Sequence, residues 1–214
     1  MWTRRPRPSL ELAAGASSDP LAGLAERARA GDRVAIRELL TAIGPSLLRV
    51  ARQVLGPGHS ELPDVAQEAA WGVLRGLEGF RGECTLQHFA CRVAVLASMN
   101  VRRRERSQRF KEQQQGELWR AEEAESPSPE RLALDQRAAD ALRGLLDTLP
   151  PAQAEVLCLH HMVGLTATEI AALGGSPVET VRSRLRLGRK ALMERVLGDE
   201  RLLETLGVSD GNAR

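Results

Sequence analysis

Apolar residues recur with the period of an α-helix along most of this chain, and this feature limits the fold more than any other. Between Asp32 and Leu55, for example, they return every three or four residues, which is the spacing of one helix face. The segments with this period are 19–31, 32–55, 60–80, 86–106, 134–149, 153–162, 166–173 and 177–197. The strict alternation of apolar and polar residues that indicates a half-buried strand does not occur in the sequence. We therefore predict an all-α fold.

Prolines and capping residues predict where some of these helices begin or bend. Asp19 before Pro20 is typical of a helix N-cap followed by the first helical residue. Ser176 before Pro177 repeats that signal. Pro45 lies inside the second periodic segment, where a proline removes a backbone hydrogen bond, so we expect that segment to bend or break there.

An acidic, proline-containing stretch divides the helical segments into two groups. Residues 112–135 carry seven Asp and Glu against two Lys and Arg, and Ser-Pro-Ser-Pro stands at 126–129. This composition is typical of a linker, so we predict two small helical domains joined by a flexible acidic segment. The predicted parts are a flexible tail at 1–18, a first domain at 19–111, the linker at 112–133, a second domain at 134–197 and a C-terminal extension at 198–214.

The composition argues against several classes of function. Aromatic residues make up 3% of the chain and Tyr is absent, so a row of stacking rings for single-stranded nucleic acid or sugar is not expected. No apolar stretch approaches the roughly 20 residues that span a bilayer, and the arginine-rich N-terminus lacks the apolar core of a secretory signal. Three cysteines without a repeated spacing are typical of reduced thiols. We predict a cytoplasmic protein without a membrane-inserted segment.

Sequence motifs of enzymes and of cofactor-binding proteins are also missing. The chain contains no Gly-x-Ser-x-Gly nucleophile elbow, no phosphate-binding P-loop and no His-Glu-x-x-His zinc motif. Its carboxylates fall on predicted helix faces and in the linker, where they do not define a catalytic pair. We therefore predict that the protein is not an enzyme and that it uses no cofactor.

Basic residues concentrate in two places, although the formal net charge of the chain is only +2. Residues 92–111 contain seven Lys and Arg against one Glu, and residues 176–195 contain six against two acidic residues. One such patch in each predicted domain indicates two contacts with a polyanion such as DNA. A solvated helix face explains either patch alone about equally well.

The second patch lies within a predicted helix-turn-helix. A short helix at 166–173 and a longer one beginning at Pro177 are joined by a turn at 174–176, as in that motif. At 100° per residue, Val181 and Leu185 fall on the core side of the second helix, and its Arg and Ser residues fall on the outer side. Such an outer side suits the DNA major groove, although an ordinary amphipathic hairpin remains an alternative.

Several of these segments together resemble one known family. LPPAQAEVL from Leu149, GLTATEIA from Gly164 and VRSRL from Val181 resemble region 4 of the sigma-70 superfamily, specifically of its extracytoplasmic-function (ECF) group. DVAQEAAW from Asp64 resembles the region 2 helix that docks on the β′ clamp of RNA polymerase. FRGECTLQHF from Phe80 resembles the loop and helix that capture and melt the minus-10 element.

The resemblance covers roughly residues 20–107 and 134–195. It implies a sigma factor that binds core RNA polymerase and directs promoter-specific initiation at minus-10 and minus-35 elements, with an anti-sigma factor as a further partner. The residues that it assigns to polymerase binding are Asp64, Gln67 and Glu68. Those assigned to minus-10 DNA are Arg81, Gly82, Glu83, Cys84, Arg102, Arg103, Arg104 and Arg106. Those assigned to minus-35 DNA are Thr166, Thr180, Arg182, Ser183, Arg186 and Arg189.

Three residues depart from the family pattern in the segment that resembles the minus-10 helix. Phe89 stands where the family usually has Trp, and Val95 and Leu96 stand where it usually has Arg-Asn. The loss of these polar groups implies that promoter melting is weaker here or depends on other residues.

Two other functions remain open at the level of sequence. A stand-alone helix-turn-helix regulator would act as a dimer on a palindromic site, without polymerase. Cys84, His88 and Cys91 form a Cys-x3-His-x2-Cys run that could hold zinc or sense oxidation through its thiols. Against the metal, Cys91 lies about 60° from His88 around a helix, and no fourth ligand is obvious.

Overall fold

The computed structural model describes residues 19–114 and 130–207, and every regular element in these two ranges is helical, which confirms the all-α prediction. The helices are α1 (Ala22–Arg29), α2 (Arg33–Leu55), α3 (Leu62–Gly76), α4 (Leu86–Gln114), α5 (Glu130–Leu146), α6 (Pro151–Cys158), α7 (Ala167–Gly174), α8 (Val178–Leu197) and α9 (Glu200–Leu206). A 3-10 turn at Leu77–Gly79 follows α3, and a π-helical turn at Leu159–Val163 follows α6. No described helix is long and apolar enough to cross a membrane.

We refer to residues 19–114 as the first half and to residues 130–207 as the second half. The predicted tail at 1–18, the central part of the predicted linker and the end of the predicted extension lie outside the described residues. The two ends of the predicted linker are helical, since α4 runs to Gln114 and α5 begins at Glu130. Arg, Lys, Gln and Glu are good helix formers, so the polar composition at these ends does not stop the helices.

The first half is built around α2 and α4, with α3 packed against both of them and α1 packed against α2. Leu39, Ile43 and Val50 of α2 are fully buried in this core, at the spacing that the sequence pattern predicted. Two glycines of α3 allow close contact with α4. A Cβ on Gly76 would lie 2.5 Å from the ring of Phe89, so the aromatic side chain rests directly on the backbone of α3.

The N-cap residue of α1 is Leu21 and not Asp19 as predicted, although the carboxylate of Asp19 contacts the starts of two helices. One oxygen accepts a hydrogen bond from the backbone N–H of Leu86 at 2.6 Å, and the other accepts one from Leu21 at 3.0 Å. The start of α4 thus receives its cap from a residue 67 positions earlier in the chain. The N–H groups at a helix start donate to any acceptor that the fold brings near, whereas a sequence pattern reveals only acceptors that are close along the chain.

Two other local predictions have different outcomes. A bend or a break was predicted at Pro45, and the break is wrong because α2 continues through this residue, whereas the bend stays a prediction. Leu47 and Val50 beyond Pro45 are buried in the same core, and tertiary packing outweighs one lost hydrogen bond. Ser176 does not cap α8. Its hydroxyl donates instead to the carbonyl of Gly174 at 3.4 Å, and Pro177 is the N-cap residue.

In the second half, α6, α7 and α8 pack together as the predicted helix-turn-helix. Val181 and Leu185 are buried on the inner side of α8. Gly188 lies one turn further, where a Cβ would approach Leu157 to 2.8 Å. The turn between α7 and α8 passes through Gly175, whose φ of +57° lies in the left-handed region that favours glycine. These contacts hold α8 with its opposite side facing outward.

The two halves pack against each other through α4, which contacts α6 and α7 as well as α2 and α3. Buried apolar residues from both halves form one continuous core. Arg92 of α4 crosses the junction. It donates to the carboxylate of Glu155 at 2.8 Å and to the carbonyl of Leu173 at 2.8 Å. The boundaries of the two predicted domains stay a prediction, but the halves that they separate are in direct contact.

Candidate polymerase and nucleic-acid interfaces

The outer face of α3 carries the three residues predicted to bind polymerase. Asp64, Gln67 and Glu68 are all exposed, because Val65 and Ala69 of the same helix are buried against α2 and α4. Their spacing of three and four residues places them on one side of the helix. The structure thus brings the three side chains together on an acidic, solvent-facing surface.

Trp71, which had no predicted role, extends this surface by one helical turn. Its side chain is 56% exposed, although a large aromatic ring is usually well buried. It lies three residues after Glu68 and four after Gln67, which places it on the same side of α3. That spacing was visible in the sequence, but only the structure shows that the ring faces outward and not into the core.

The loop predicted to capture a minus-10 base leads into α4 and is partly exposed. Arg81 and Glu83 are exposed, Gly82 has a φ of +72°, and Cys84 is half-buried. Burial, followed by the nearby charges of Asp19 and Glu83, raises the pKa of the Cys84 thiol to about 11. This thiol therefore stays protonated at neutral pH, and the two charged side chains are the members of the loop that face solvent.

The three residues that depart from the family pattern have different environments. Phe89 packs against Phe80, with ring centroids 5.3 Å apart. Val95 is fully buried, whereas Leu96 is 37% exposed. Phe89 and Val95 therefore contribute to the core of the first half, and only Leu96 presents its side chain to solvent. The effect of these residues on promoter melting stays a prediction.

The four arginines near the end of α4 are not equally available to a ligand. Arg102 is only 14% exposed and donates two hydrogen bonds to the carboxylate of Asp147, at 2.7 and 2.6 Å. Arg106 donates to the backbone carbonyl of Asp147, and Arg104 pairs with Glu61. Arg103 is exposed and makes no hydrogen bond or ion pair with any described residue. Of the four arginines predicted to contact phosphates, three thus have partners on the protein and Arg103 has none among the described residues.

The outer side of α8 presents the predicted minus-35 arginines. Arg182, Arg186 and Arg189 are exposed, at intervals of three and four residues. Arg182 pairs with Glu179 on the same helix, and Arg189 donates to Nε2 of His161 at 3.3 Å. Arg186 has no hydrogen-bonding or ionic partner among the described residues. These three guanidinium groups form one basic surface, which we call the α8 surface.

The remaining predicted minus-35 residues border the α8 surface in different ways. Thr180 and Ser183 are half-buried on α8. Thr166 lies at the start of α7, where its hydroxyl oxygen accepts from the backbone N–H of Glu169 at 3.3 Å. The carboxylate of Glu169 in turn accepts from the backbone N–H of Thr166 at 2.7 Å. This reciprocal capping box fixes the first helix of the motif, so Thr166 has a structural role whether or not it contacts DNA.

The possible zinc or thiol site does not gain support from the arrangement of its residues. His88 and Cys91 are buried. Burial lowers the pKa of His88 and raises the pKa of Cys91, and a raised pKa disfavours the thiolate that binds metal. Within residues 19–114 and 130–207, no three His, Cys, Asp or Glu side chains group together as metal ligands.

Known proteins resemble this chain over both halves. The family described as Sigma-70, region 4, matches residues 139–192. The ECF RNA polymerase sigma factor SigD of Mycobacterium tuberculosis is 31% identical over 160 residues, which are 72% of this chain and 73% of SigD. The ECF RNA polymerase sigma-E factor of Escherichia coli is 28% identical over 178 residues, 81% of this chain and 92% of that factor.

A solved structure shows the same fold. CnrH, in complex with the cytosolic domain of CnrY, superposes with a TM-score of 0.53 at 22% identity, over 83% of this chain and 97% of CnrH. The structural likeness shows the all-α fold, and the sequence relatives define the class, a transcription initiation factor. The chain belongs to the ECF group of the sigma-70 family of RNA polymerase sigma factors. This membership confirms the predicted family and the predicted function of a sigma factor in transcription initiation.

Proposed function

We propose that this sigma factor binds core polymerase through the outer face of α3, reads the minus-35 element through the α8 surface and holds the minus-10 element through α4 and the loop before it. The observation that carries the proposal is the row of three exposed arginines on the second helix of a helix-turn-helix, opposite a buried apolar side. A helix of this kind enters the major groove, where Arg can donate two hydrogen bonds to guanine.

The minus-10 contacts divide into base capture and phosphate binding. Arg81 and Glu83 are the exposed charged residues of the loop. Gly82 lies between them and Cys84 follows them. We assign this loop to the binding of a base that is extruded from the duplex. Extrusion costs a few kcal/mol of stacking, which contacts to the extruded base must offset. The arginines of α4 supply phosphate contacts, each of which adds about 0.9 to the slope of log affinity against log salt on duplex DNA.

The polymerase contact combines charge with an apolar anchor. Asp64, Gln67 and Glu68 offer acceptors to basic or polar groups on the clamp. Trp71 adds a large aromatic surface beside them, and buried Trp residues often carry a large share of the binding free energy in protein interfaces. An exposed ring on a solvent-facing helix is explained if polymerase covers it in the complex.

Four further assignments belong to the same proposal. The protein works in the cytoplasm, where its polymerase is. The chain has no catalytic activity of its own, in agreement with the non-enzymatic character of its family. An anti-sigma factor controls it. The units that carry the two promoter contacts are residues 19–111 and 134–197, joined by the acidic segment between them.

Co-purification with core polymerase tests the α3 surface. Asp64→Arg reverses one of the two negative charges of this surface, so we expect it to abolish co-purification, and Trp71→Ala should weaken binding about tenfold. Glu26→Arg, an equal charge reversal at an exposed position of α1, is the matched control and should bind normally. Retention of polymerase by Asp64→Arg would contradict the assignment of this surface.

Run-off transcription tests the function as a whole. The purified chain and core polymerase are incubated with a library of genomic fragments, and the transcripts are sequenced. We expect start sites downstream of two unlike elements, one near minus-10 and one near minus-35. Start sites that require a single palindrome, or binding to DNA without any gain in transcription, would favour the stand-alone regulator instead.

A further inference from the structure

The junction between the halves contains an ion pair that involves a proposed DNA contact. The guanidinium of Arg102 donates in parallel to both carboxylate oxygens of Asp147, at 2.7 and 2.6 Å. Asp147 lies just after α5 in the second half, so the pair links residues 45 positions apart. The Arg102 side chain also donates to the carbonyl of Val54 at 3.3 Å. Three of the five N–H groups of this guanidinium therefore donate to acceptors on the protein.

Asp147 holds a second arginine of the same set. The guanidinium of Arg106, one turn along α4, donates to the backbone carbonyl of Asp147. A carboxylate and a phosphodiester both offer two oxygens to an arginine in the same parallel geometry. Asp147 therefore occupies Arg102 in the way that a DNA phosphate would, and one guanidinium cannot serve both at once.

The contact next to this pair is incompletely packed. A cavity of about 230 Å³ lies between α4 and α6, bordered by Met99, Arg102, Asp147 and Cys158 among others. The packing between the halves has a gap at this point, although the apolar core around it is continuous, and local opening begins where buried contacts are fewest. Cys158, which is buried, lines the cavity from the side of the second half and would become accessible on opening.

We propose that Asp147 is an internal competitor of promoter DNA, which holds Arg102 and Arg106 and keeps the two halves together until DNA or polymerase separates them. This proposal rests on the proposed role of these arginines in minus-10 binding and adds a regulatory contact to it. The arrangement seen in the structure is then a self-masked form of the factor, in which part of the basic surface of α4 is covered by its own second half.

Alkylation of the native cysteines measures the opening. Burial raises the pKa of the Cys158 thiol to about 12, so N-ethylmaleimide should label it slowly in the unaltered chain. Asp147→Asn removes the charge without changing the size of the side chain. We expect it to increase the labelling rate of Cys158 about tenfold, whereas Cys91, in the core of the first half, should keep its rate. Mass spectrometry of peptides resolves each cysteine.

A second variant separates opening from a direct electrostatic effect. The negative charge of Asp147 itself raises the pKa of Cys158 and the positive charge of Arg102 lowers it. If Arg102 acted on Cys158 by charge alone, Arg102→Gln would raise the pKa of this thiol further and slow its labelling. If the pair holds the halves together, Arg102→Gln opens the junction and labelling of Cys158 becomes faster. Faster labelling in both variants supports the proposal. Faster labelling in Asp147→Asn only, or in neither, overturns it.

DNA binding tests the competition. The probe is a fluorescent mixed-sequence duplex of about 30 base pairs at roughly 50 mM salt, since phosphate contacts do not depend on sequence. Glu204→Gln, an exposed carboxylate on α9, gives the same change in net charge and is the control. We expect Asp147→Asn to bind about tenfold more tightly than this control. The gain should disappear in the double variant Arg102→Gln/Asp147→Asn, because Asp147 acts through Arg102.

The two readouts distinguish failure of this proposal from failure of the proposed function. If Cys158 labelling accelerates but DNA affinity matches the Glu204→Gln control, the competition is overturned because Arg102 does not bind phosphates, and Arg102→Gln alone should then bind DNA normally. If labelling of Cys158 does not accelerate, Asp147 does not hold the halves together and this proposal is overturned. The assignment of α4 to promoter DNA is then tested separately, by the affinity of Arg102→Gln for DNA.

Discussion

The arginines of α8 and those at the end of α4 have similar sequence surroundings but different environments. Arg186 is exposed and has no partner among the described residues, and the partners of its neighbours on α8 lie within the second half. Arg102 is mostly buried and bound to Asp147 across the junction between the halves. A cluster of basic residues in the sequence therefore identifies a basic helix. The element that packs against that helix determines which of its arginines can reach DNA.

The difference follows from how each helix is covered. One side of α8 packs on α6 and α7 through Val181 and Leu185, and the opposite side faces outward. By contrast, α4 contacts α2, α3, α6 and α7. Little of its circumference is left to solvent until its last turns, and a basic side chain such as Arg92 or Arg102 meets acceptors from the second half. The outer side of α8 is therefore open to DNA, whereas most of α4 is covered by other helices of the protein.

The largest expected effect is on the α8 surface. Arg186→Ala should reduce affinity for a minus-35 duplex by about 1–3 kcal/mol, because it removes one good base contact. The free energy of unfolding should change by less than about 0.5 kcal/mol, since the side chain is exposed. Fluorescence anisotropy and urea unfolding measure the two quantities. Unchanged affinity would show that the reading side of α8 is assigned incorrectly.

Arg102→Ala should have its main effect on stability. It removes two charge-assisted hydrogen bonds and leaves Asp147 without its partner, so we expect the free energy of unfolding to fall by about 1–3 kcal/mol. Urea unfolding followed by circular dichroism measures this loss. If Arg102→Ala proved as stable as the unaltered protein, the contrast between an engaged arginine on α4 and an outward one on α8 would be lost.

Arg103→Ala should have a smaller effect, and on DNA binding alone. Arg103 is exposed on α4, beside the engaged Arg102, so its removal costs at most one phosphate contact. The slope of log affinity against log salt should fall by about 1, with the affinity reduced uniformly across sequences. The stability should not change. A salt titration of duplex binding checks the slope, and a sequence-dependent loss would indicate a base contact instead.

The smallest effect is expected for an ion pair within α8. Glu179→Gln breaks the pair with Arg182, but the two side chains are 78% and 62% exposed, and exposed pairs contribute little to stability. We expect a change in the free energy of unfolding below about 0.5 kcal/mol by urea unfolding. A larger loss would mean that Arg182 is held in place as firmly as Arg102, which would remove the difference between the two surfaces.

Much of the fold and of the family could be predicted from sequence because these depend on local patterns. The helical period predicted the core positions of α2 and α8, and the short motifs beginning at Asp64, Gly164 and Val181 indicated a sigma factor of the ECF group. The predictions that failed were helix caps and helix ends. Asp19 serves a helix start far along the chain, and no local signal identifies a partner 67 residues away.

The sequence by itself determined the helices, the basic character of α4 and α8 and the family, since periodicity, charge and short motifs are properties of neighbouring residues. Only the tertiary structure decided that Trp71 faces outward, that Val95 is buried and that Arg102 is held by Asp147. Exposure and pairing depend on which surfaces meet when separate elements pack, and a list of residues in chain order does not contain that information.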